Sequence, residues 1–211
     1  RFMDLELIAE RGVLVPRGET ELLGATALGV LGEAPRVIDM CCGSGNLACA
    51  IAAHRPRARV WATDLTEACV SPARRNAVFT GLQDRIMVRQ GDLFEGLGGL
   101  TLEGTLDAVV CNPPYISQAK LAGERAALLE HEPREAFDGG PYGLSIHSRV
   151  IREALPFLKP GGILLFEIGL GQERQVELLF ARSRAYIEIT PVANAAGQVR
   201  VIHAIKANPW N

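Results

Sequence analysis

Short apolar runs alternate with longer stretches of helical spacing along most of the chain. Five of these runs are five or six residues long, and each is closely followed by glycine, asparagine or aspartate, the pattern of buried strands that end in turns. The predicted strands are Arg36–Met40, Ala58–Thr63, Ile86–Gln90, Leu106–Cys111 and Ile163–Ile168. Strands that alternate with helices predict an α/β fold with a mostly parallel sheet and helices on both faces.

The two ends of the chain break this alternation. Ala185–Thr190 and Gln198–Ile205 are joined without a helix, which favours an antiparallel pair at one edge of the sheet. Near the start, Phe2–Ile8 and Val13–Val15 flank a polar turn and predict a β-hairpin or an extended arm. We therefore expect an N-terminal arm over residues 1–18 and a larger α/β domain over residues 19–211.

Three details of the connections are expected from composition. Thr20 or Glu19 lies where the first helix should be capped. Pro72 lies inside the helix that Thr66 caps, so that helix either bends there or restarts with Ser71 as its cap. Residues 116–143 form a long, mostly charged crossing, and a crossing of this length in a compact domain is usually functional or mobile.

Composition bounds the class of protein. The chain has 211 residues, 48% of them hydrophobic, which is enough for one domain with a sizeable core. The net charge is −2, so no basic excess indicates nucleic acid as the main partner. No apolar run approaches membrane-spanning length, and we expect no membrane partner. Five cysteines without a Cys-x-x-Cys pair, and four scattered histidines, predict reduced thiols, a cytoplasmic location and no metal site.

A glycine turn follows the first strand and an acid ends the second, an order typical of nucleotide sites. On that order alone, NAD is an alternative cofactor. However, the turn is Asp39-x-Cys41-x-Gly43-x-Gly45 rather than Gly-x-Gly-x-x-Gly. Asp39 suits a cationic amino-acid group better than a pyrophosphate, Asp64 suits ribose hydroxyls, and Asp92 offers a second acid for an adenine amino group. These features favour S-adenosyl-L-methionine over a dinucleotide.

The fourth strand leads into Asn112-Pro113-Pro114-Tyr115, at the sheet edge where open α/β folds bind ligands. The prolines make this segment stiff and extended. Asn112 Oδ1 and the Pro113 carbonyl then form a rigid pair of acceptors, suited to a substrate NH2 group. Taken alone, the tetrapeptide is equally consistent with a turn that ends a strand. Cys111 is expected to pack in the core, because no histidine is positioned by the sequence to activate it.

Six motifs occur in order over nearly the whole chain. They are Val13–Leu23, Asp39–Gly45, Asn112–Tyr115, Glu132–Gly143, Leu158–Gly162 and Glu167–Gly169. In this order they resemble the HemK/PrmC family of protein-glutamine methyltransferases. Asn-Pro-Pro-Tyr is shared with enzymes that methylate amino groups of adenine and guanine, whereas the first and fourth motifs are far more specific to the glutamine branch.

The resemblance implies a class I, Rossmann-like methyltransferase fold over residues 19–211, with S-adenosyl-L-methionine as the donor. It implies that the acceptor is a glutamine side-chain amide in the Gly-Gly-Gln motif of peptide-chain release factors. Carried over by position, the catalytic residues are Asn112, Pro113, Pro114 and Tyr115. The cofactor-binding residues are Asp39, Cys41, Gly43, Gly45, Asn46, Asp64, Leu65, Gly91, Asp92, Leu93 and Asn112.

Three features depart from the family pattern. Gly18 stands where the family has a proline, and Cys41 stands where it has the first glycine of the cofactor turn. The family's release-factor enzymes also carry a helical docking domain ahead of the hairpin, whereas this sequence begins at Arg1. Either such a domain lies upstream, or the acceptor differs. Two alternatives therefore stay open: amino-methylation of a nucleic-acid base or small molecule, and cofactor binding without catalysis.

Overall fold

The computed structural model describes residues 1–9, 17–123 and 134–208. Across these residues the sheet has seven strands in the order β3-β2-β1-β4-β5-β7-β6. They are β1 (Arg36–Met40), β2 (Arg59–Asp64), β3 (Ile86–Gln90), β4 (Leu106–Cys111), β5 (Leu158–Glu167), β6 (Tyr186–Ala193) and β7 (Val199–Lys206). The first five are parallel, and β7 runs antiparallel to both β5 and β6. The predicted fold class and the antiparallel edge pair are confirmed.

Helices cover both faces of this sheet. They are α1 (Gly18–Val30), α2 (Asn46–His54), α3 (Glu67–Phe79), α4 (Gln118–Ala122), α5 (Ser145–Glu153) and α6 (Glu173–Ser183). The first three pack on one face, while α5 and α6 pack on the other. Alternate side chains of β4 serve both layers: Ala108 and Val110 face the first, and Val109 and Cys111 face the second. A strand buried on both faces is apolar on both, which explains the apolar run from Ala108 to Cys111, whereas the half-buried Asp107 near the start of the strand accepts the Arg36 N–H.

The order of the strands creates the crevice in which the site lies. β1 pairs with β2 on one side and with β4 on the other, so the chain leaves β1 and β4 in different directions. Ligands of open α/β sheets bind at such a switch point, beyond the carboxyl ends of the strands. Here it brings the glycine turn after β1 next to the Asn-Pro-Pro-Tyr segment after β4.

β5 is longer than the sequence predicted. The strand was expected to begin at Ile163, but residues 159–162, Lys-Pro-Gly-Gly, also lie within it. The β4–β5 ladder pairs Leu106 with Leu158 and then Ala108 with Ile163, so these residues are accommodated by an irregularity in the register. Gly162 permits the close approach, because a Cβ there would lie 3.0 Å from the Leu106 carbonyl oxygen.

One predicted helix start was wrong, and one of two alternatives for another helix is excluded. α1 begins at Gly18 after Arg17, which provides no side-chain cap, and Thr20 lies inside the helix. α3 is capped by Thr66, whose hydroxyl accepts a hydrogen bond from the Cys69 N–H, as expected. It then continues through Pro72 to Phe79, so the alternative restart at Ser71 is wrong. Tertiary packing holds the proline-containing helix together despite its local preference.

The N-terminal arm is described only in part. Phe2 and Leu5 form a single antiparallel bridge, and the Phe2 side chain is buried in the core. Ile8 exchanges two hydrogen bonds with Asn76 of α3, which holds the arm against the domain. Val13–Val15, the expected second half of the hairpin, and most of Glu132–Arg134 lie outside the described residues. The division of the chain at residue 18 stays a prediction.

The crossing between β4 and α5 contains α4 and a short 3₁₀ turn, Arg134–Ala136, among its described residues. No helix in the described part of the chain is long and apolar enough to cross a membrane.

Candidate active site

Asp64, at the end of β2, fixes the glycine turn. Its Oδ2 accepts the Gly43 N–H at 2.8 Å, and its Oδ1 accepts the Leu65 N–H at 2.8 Å. Burial raises the pKa of the Asp64 carboxyl, and these backbone hydrogen bonds oppose that shift. The carboxylate therefore ties the first turn to β2 and also lines the adjoining cavity. Its predicted contact with ribose hydroxyls stays a prediction.

Asp39, near the end of β1, is fully buried. Its Oδ2 accepts the Ala48 N–H of α2 at 2.9 Å, whereas its Oδ1 has no hydrogen-bond partner. Desolvation raises the pKa of this carboxyl to about 7, with a smaller contribution from the charge of Asp64. One oxygen of this buried carboxyl is therefore unpaired, and its interaction with a cationic amino-acid group stays a prediction.

A cavity of about 240 Å³ opens at the carboxyl ends of β1, β2 and β4. Apolar side chains form much of its wall, with carboxylates at two sides. Eight predicted cofactor residues line it, namely Cys41, Gly43, Asp64, Leu65, Gly91, Asp92, Leu93 and Asn112. Asp39, Gly45 and Asn46 do not line it. Instead Asp39 is buried behind the turn, Gly45 forms the left-handed cap of α2, and Asn46 is its buried first residue.

Asp92 has a partner that the sequence did not reveal. Arg149 of α5 donates from Nη1 to both carboxylate oxygens at 2.9 Å, and its Nε donates to Glu153 at 3.1 Å. Asp92 thus lines the cavity with its charge already balanced. Its proposed contact with an adenine amino group would use lone pairs left free by Arg149. Arg149 is 57 residues away in sequence, and no motif marks it.

Cys41, in the turn after β1, lies beside Cys111 at the end of β4, and neither has the surroundings of a nucleophile. Cys41 has φ +57°, a conformation that glycine adopts more readily than other residues, and its side chain lines the cavity. Cys111 is fully buried, and burial raises the pKa of its thiol well above the usual value. The thiol of Cys111 is therefore protonated at neutral pH, as expected for a packing residue.

A second, smaller cavity lies beside the first, lined by Pro113, Tyr115 and other residues of α1, β5 and the crossing. Its volume is about 20 Å³. Asn112 and Ala136 line both cavities. The asparagine therefore stands at the boundary, with Pro114 on the side of the larger cavity and Pro113 and Tyr115 on the side of the smaller one.

Asn112 is held by a buried network that sequence reasoning missed. Its Nδ2 donates to Thr20 Oγ1 at 3.1 Å, and the Thr20 hydroxyl donates to Glu167 Oε2 at 2.7 Å. Tyr115 donates its hydroxyl proton to Glu167 Oε1 at 3.1 Å. Arg200 completes the group, with Nη2 3.9 Å from Glu167 Oε1. Thr20 and Glu167 belong to motifs that marked the family, but the sequence assigned Glu167 no role and Thr20 only that of a candidate helix cap.

The Asp-Gly-Gly and Gly143 positions have a steric explanation. A Cβ at Gly139 would lie 2.8 Å from the Pro114 carbonyl oxygen, and one at Gly143 would lie 2.3 Å from the Tyr115 carbonyl oxygen. The Gln172 amide also donates to the Tyr115 carbonyl, at 3.0 Å. The crossing therefore packs backbone against backbone on the Pro-Pro-Tyr segment, which fixes its position.

Comparison with known proteins agrees with this geometry. A profile of the family described as Methyltransferase small domain matches residues 20–140 of the 211. The release factor glutamine methyltransferase of Moorella thermoacetica is 39% identical over 207 residues, covering 97% of this chain and 71% of that relative. The chain belongs to the release factor glutamine methyltransferase family. A second member, from Gloeobacter violaceus, is 37% identical over 203 residues, covering 95% of this chain and 70% of its own length.

Solved structures with a fold similar to that of this chain are methyltransferases. A methyltransferase from Pyrococcus furiosus superposes with a TM-score of 0.68 at 16% identity, covering 97% of this chain and 90% of that one. An RNA methyltransferase from Salinibacter ruber, in complex with S-adenosyl-L-homocysteine, gives 0.59 at 16% identity, covering 92% and 95%. At such identity the likeness concerns the fold alone. The predicted family and its Rossmann-like fold are both confirmed.

Proposed function

We propose that the chain transfers a methyl group from S-adenosyl-L-methionine to the side-chain amide nitrogen of a glutamine in a peptide-chain release factor. The proposed acceptor is the glutamine of its Gly-Gly-Gln motif. The observation that carries the proposal is the position of Asn112, which lines both cavities and has its amide nitrogen turned towards Thr20. The names of relatives at 37–39% identity support the same acceptor class.

The residues of the larger cavity fit the cofactor. Apolar walls that include Leu65 and Leu93 suit an adenine ring, and Asp64 offers carboxylate oxygens to ribose hydroxyls. The unpaired Oδ1 of Asp39 gives the region a negative potential that favours a cationic amino acid. When bound, S-adenosyl-L-methionine supplies an electrophilic methyl group on a sulfonium.

The acceptor amide would lie where the two cavities meet, because the smaller cavity has room for about one water-sized group. Because Asn112 Nδ2 donates to Thr20, Asn112 Oδ1 is the atom left to accept from a substrate. Together with the Pro113 carbonyl it would take both hydrogens of an amide NH2. An amide nitrogen is a poor nucleophile, since its lone pair is delocalised into the carbonyl. Fixing both N–H groups orients the lone pair and favours the pyramidal nitrogen of the transition state, and ideal orientation supplies up to about 7–11 kcal/mol.

Tyr115 would form an aromatic wall for the acceptor, with its hydroxyl fixed on Glu167. Burial raises the pKa of the Tyr115 hydroxyl, so it remains protonated and cannot serve as a base near neutral pH. We assign no general base, because the extra proton of the product can leave after transfer. Pro114 keeps the segment extended.

Methyl transfer from labelled S-adenosyl-L-methionine tests the proposal. Release factor, bulk RNA and DNA are offered in parallel to the wild type, Asn112→Ala and the control Asn208→Ala, an exposed residue near the end of β7. We expect label on the release factor only, reduced about 10²–10³-fold by Asn112→Ala and unchanged by the control. Label on nucleic acid would favour the amino-methylating alternative. Cofactor binding without transfer to any acceptor would favour a non-catalytic protein.

A further inference from the structure

We propose that Thr20 and Glu167 are positioning residues that set the orientation of the Asn112 amide, so that its oxygen faces the acceptor. The inference rests on the proposed function and deepens it. An asparagine side chain can be turned by half a rotation about its last bond, which exchanges an acceptor for a donor at nearly the same place. A site that must accept two N–H groups therefore needs a device that prevents this exchange.

The Thr20 hydroxyl provides the device because it has only one hydrogen. That hydrogen is donated to Glu167 Oε2 at 2.7 Å, so the remaining lone pairs of the oxygen can only accept. Asn112 meets that acceptor with Nδ2 at 3.1 Å. If the amide were reversed, its oxygen would face another oxygen without a hydrogen between them. Glu167 thus fixes the direction of the hydrogen bond from Thr20, and Thr20 in turn fixes the orientation of the Asn112 amide. We call this chain of two hydrogen bonds the orientation relay.

Glu167 can determine the direction of both hydrogen bonds because the orientation of its own side chain is fixed. Its side chain is 2% exposed, and Oε1 accepts from the Tyr115 hydroxyl at 3.1 Å. Arg200 lies 3.9 Å from Oε1 and pairs at 2.9 Å with Glu19, and its side chain is 12% exposed. The Tyr115 hydroxyl, which itself accepts from Arg200 Nη2 at 3.3 Å, therefore takes Oε1, and Oε2 is left for Thr20. The cation of Arg200 balances a carboxylate that would otherwise be costly to bury.

The network also connects the two acceptor-facing side chains. Asn112 and Tyr115 both line the smaller cavity, and both are hydrogen-bonded through Glu167, from opposite oxygens. Thr20 reaches the site from α1, 92 residues before Asn112 in sequence, and Glu167 reaches it from the end of β5. The orientation relay from Glu167 through Thr20 to Asn112 explains why a threonine and a buried glutamate pack beside the Asn-Pro-Pro-Tyr segment, although neither lines the larger cavity.

Three substitutions separate a positioning role from a structural one. Thr20→Val keeps the shape and removes the hydroxyl, whereas Thr20→Ser restores it. In Glu167→Gln the amide oxygen would face the donors Tyr115 and Arg200, so its NH2 would face Thr20. The Thr20 hydroxyl would then donate to Asn112 Oδ1 and reverse the relay.

We expect Thr20→Val and Glu167→Gln to lower kcat for release-factor methylation about ten- to a hundredfold. Thr20→Val leaves Asn112 Nδ2 unpaired, and Glu167→Gln turns that donor towards the acceptor N–H, so each variant leaves one polar group without a partner. Affinity for S-adenosyl-L-homocysteine should not change, and Thr20→Ser should retain most of the activity. In an Asn112→Ala background, Thr20→Val should have no further effect, because the group it orients is gone. An equal loss in both backgrounds, or a matching loss of S-adenosyl-L-homocysteine affinity, would overturn the proposal.

NMR spectroscopy tests the orientation of the Asn112 amide even if the wild type does not methylate release factors. Chains labelled with ¹⁵N-asparagine give a side-chain NH2 signal for Asn112, identified by its disappearance in Asn112→Ala. We expect one of its two protons to exchange slowly with solvent in the wild type and in Thr20→Ser. In Thr20→Val both protons of the Asn112 NH2 group should exchange rapidly. If Thr20→Val does not fold, the same result is expected in Glu167→Gln. Unchanged exchange in the folded variants would refute the orientation relay, whatever the acceptor proves to be.

Discussion

Replacing Asp39 by asparagine should stabilise the folded protein at pH 8 and leave it no more stable at pH 5. Burial raises the pKa of this carboxyl from 3.8 to about 7. The unfolded chain therefore loses the proton at lower pH than the folded chain does, and stability falls as pH rises between those two values. At pH 8 the ionised side chain costs about 4 kcal/mol of folding free energy, from roughly 3 pKa units at about 1.4 kcal/mol each.

The Asp39→Asn variant would avoid that cost, but its new NH2 group would occupy the place of Oδ1, which has no partner. An unpaired buried group costs about 1–3 kcal/mol, so the net gain at pH 8 is about 1–3 kcal/mol. At pH 5 Asp39 is largely protonated in the folded state, and the gain disappears. The difference in unfolding free energy between variant and wild type should thus rise by about 3 kcal/mol from pH 5 to pH 8.

Urea unfolding at both pH values measures this difference. Asp64 remains in both proteins, so its own titration largely cancels. Asp84→Asn, at an exposed aspartate, controls for the loss of one carboxylate. The same Asp39→Asn variant should bind S-adenosyl-L-methionine more weakly, because a cationic ligand loses a nearby anion. A stability difference that is equal at the two pH values would refute the reasoning about Asp39.

Two further predictions concern backbone conformation. Cys41→Gly should change the unfolding free energy by no more than about 1 kcal/mol, since relief of the left-handed conformation is offset by the larger entropy of the unfolded chain. The same variant should bind S-adenosyl-L-methionine more tightly in calorimetry, because a side chain is removed from the cavity. Weaker binding would contradict this expectation. Gly143→Ala should destabilise by about 1–3 kcal/mol and slow methyl transfer, because its Cβ would meet the Tyr115 carbonyl. Gly171→Ala is the matched control, with φ +79° and nothing within 4 Å, and its transfer rate should equal that of the wild type.

The sequence predicted the sheet better than the chemistry of the site. β1, β3 and β4 begin and end where the apolar pattern predicted. For β1 and β4 the reason is burial on both faces, which gives a strong local signal, whereas β3 is a partly exposed edge strand bounded by Gly91. The start of β5 was predicted five residues too late, because a proline and two glycines do not indicate a strand unless the register of the neighbouring strand is known.

The positions of Asn112 and Asp64 followed from strand ends, which a sequence reveals. Their partners did not. Thr20 meets Glu167 across 147 residues, and neither residue type has a periodic pattern that would indicate a buried hydrogen bond. Arg149 similarly resembles any solvated charge of a helix until the fold places it against Asp92. Long-range polar pairs depend on tertiary structure, so they appear only once the elements are packed.

The central claim is that this chain methylates a release-factor glutamine and that Asn112 presents the acceptor. The most direct measurement is mass spectrometry of the Gly-Gly-Gln peptide, cut from release factor after incubation with S-adenosyl-L-methionine and either wild type or Asn112→Ala. The account predicts the mass of one added methyl group, located on the glutamine and nearly absent with the variant. An unmodified glutamine with the folded, cofactor-binding wild type would contradict it, as would equal methylation by Asn112→Ala.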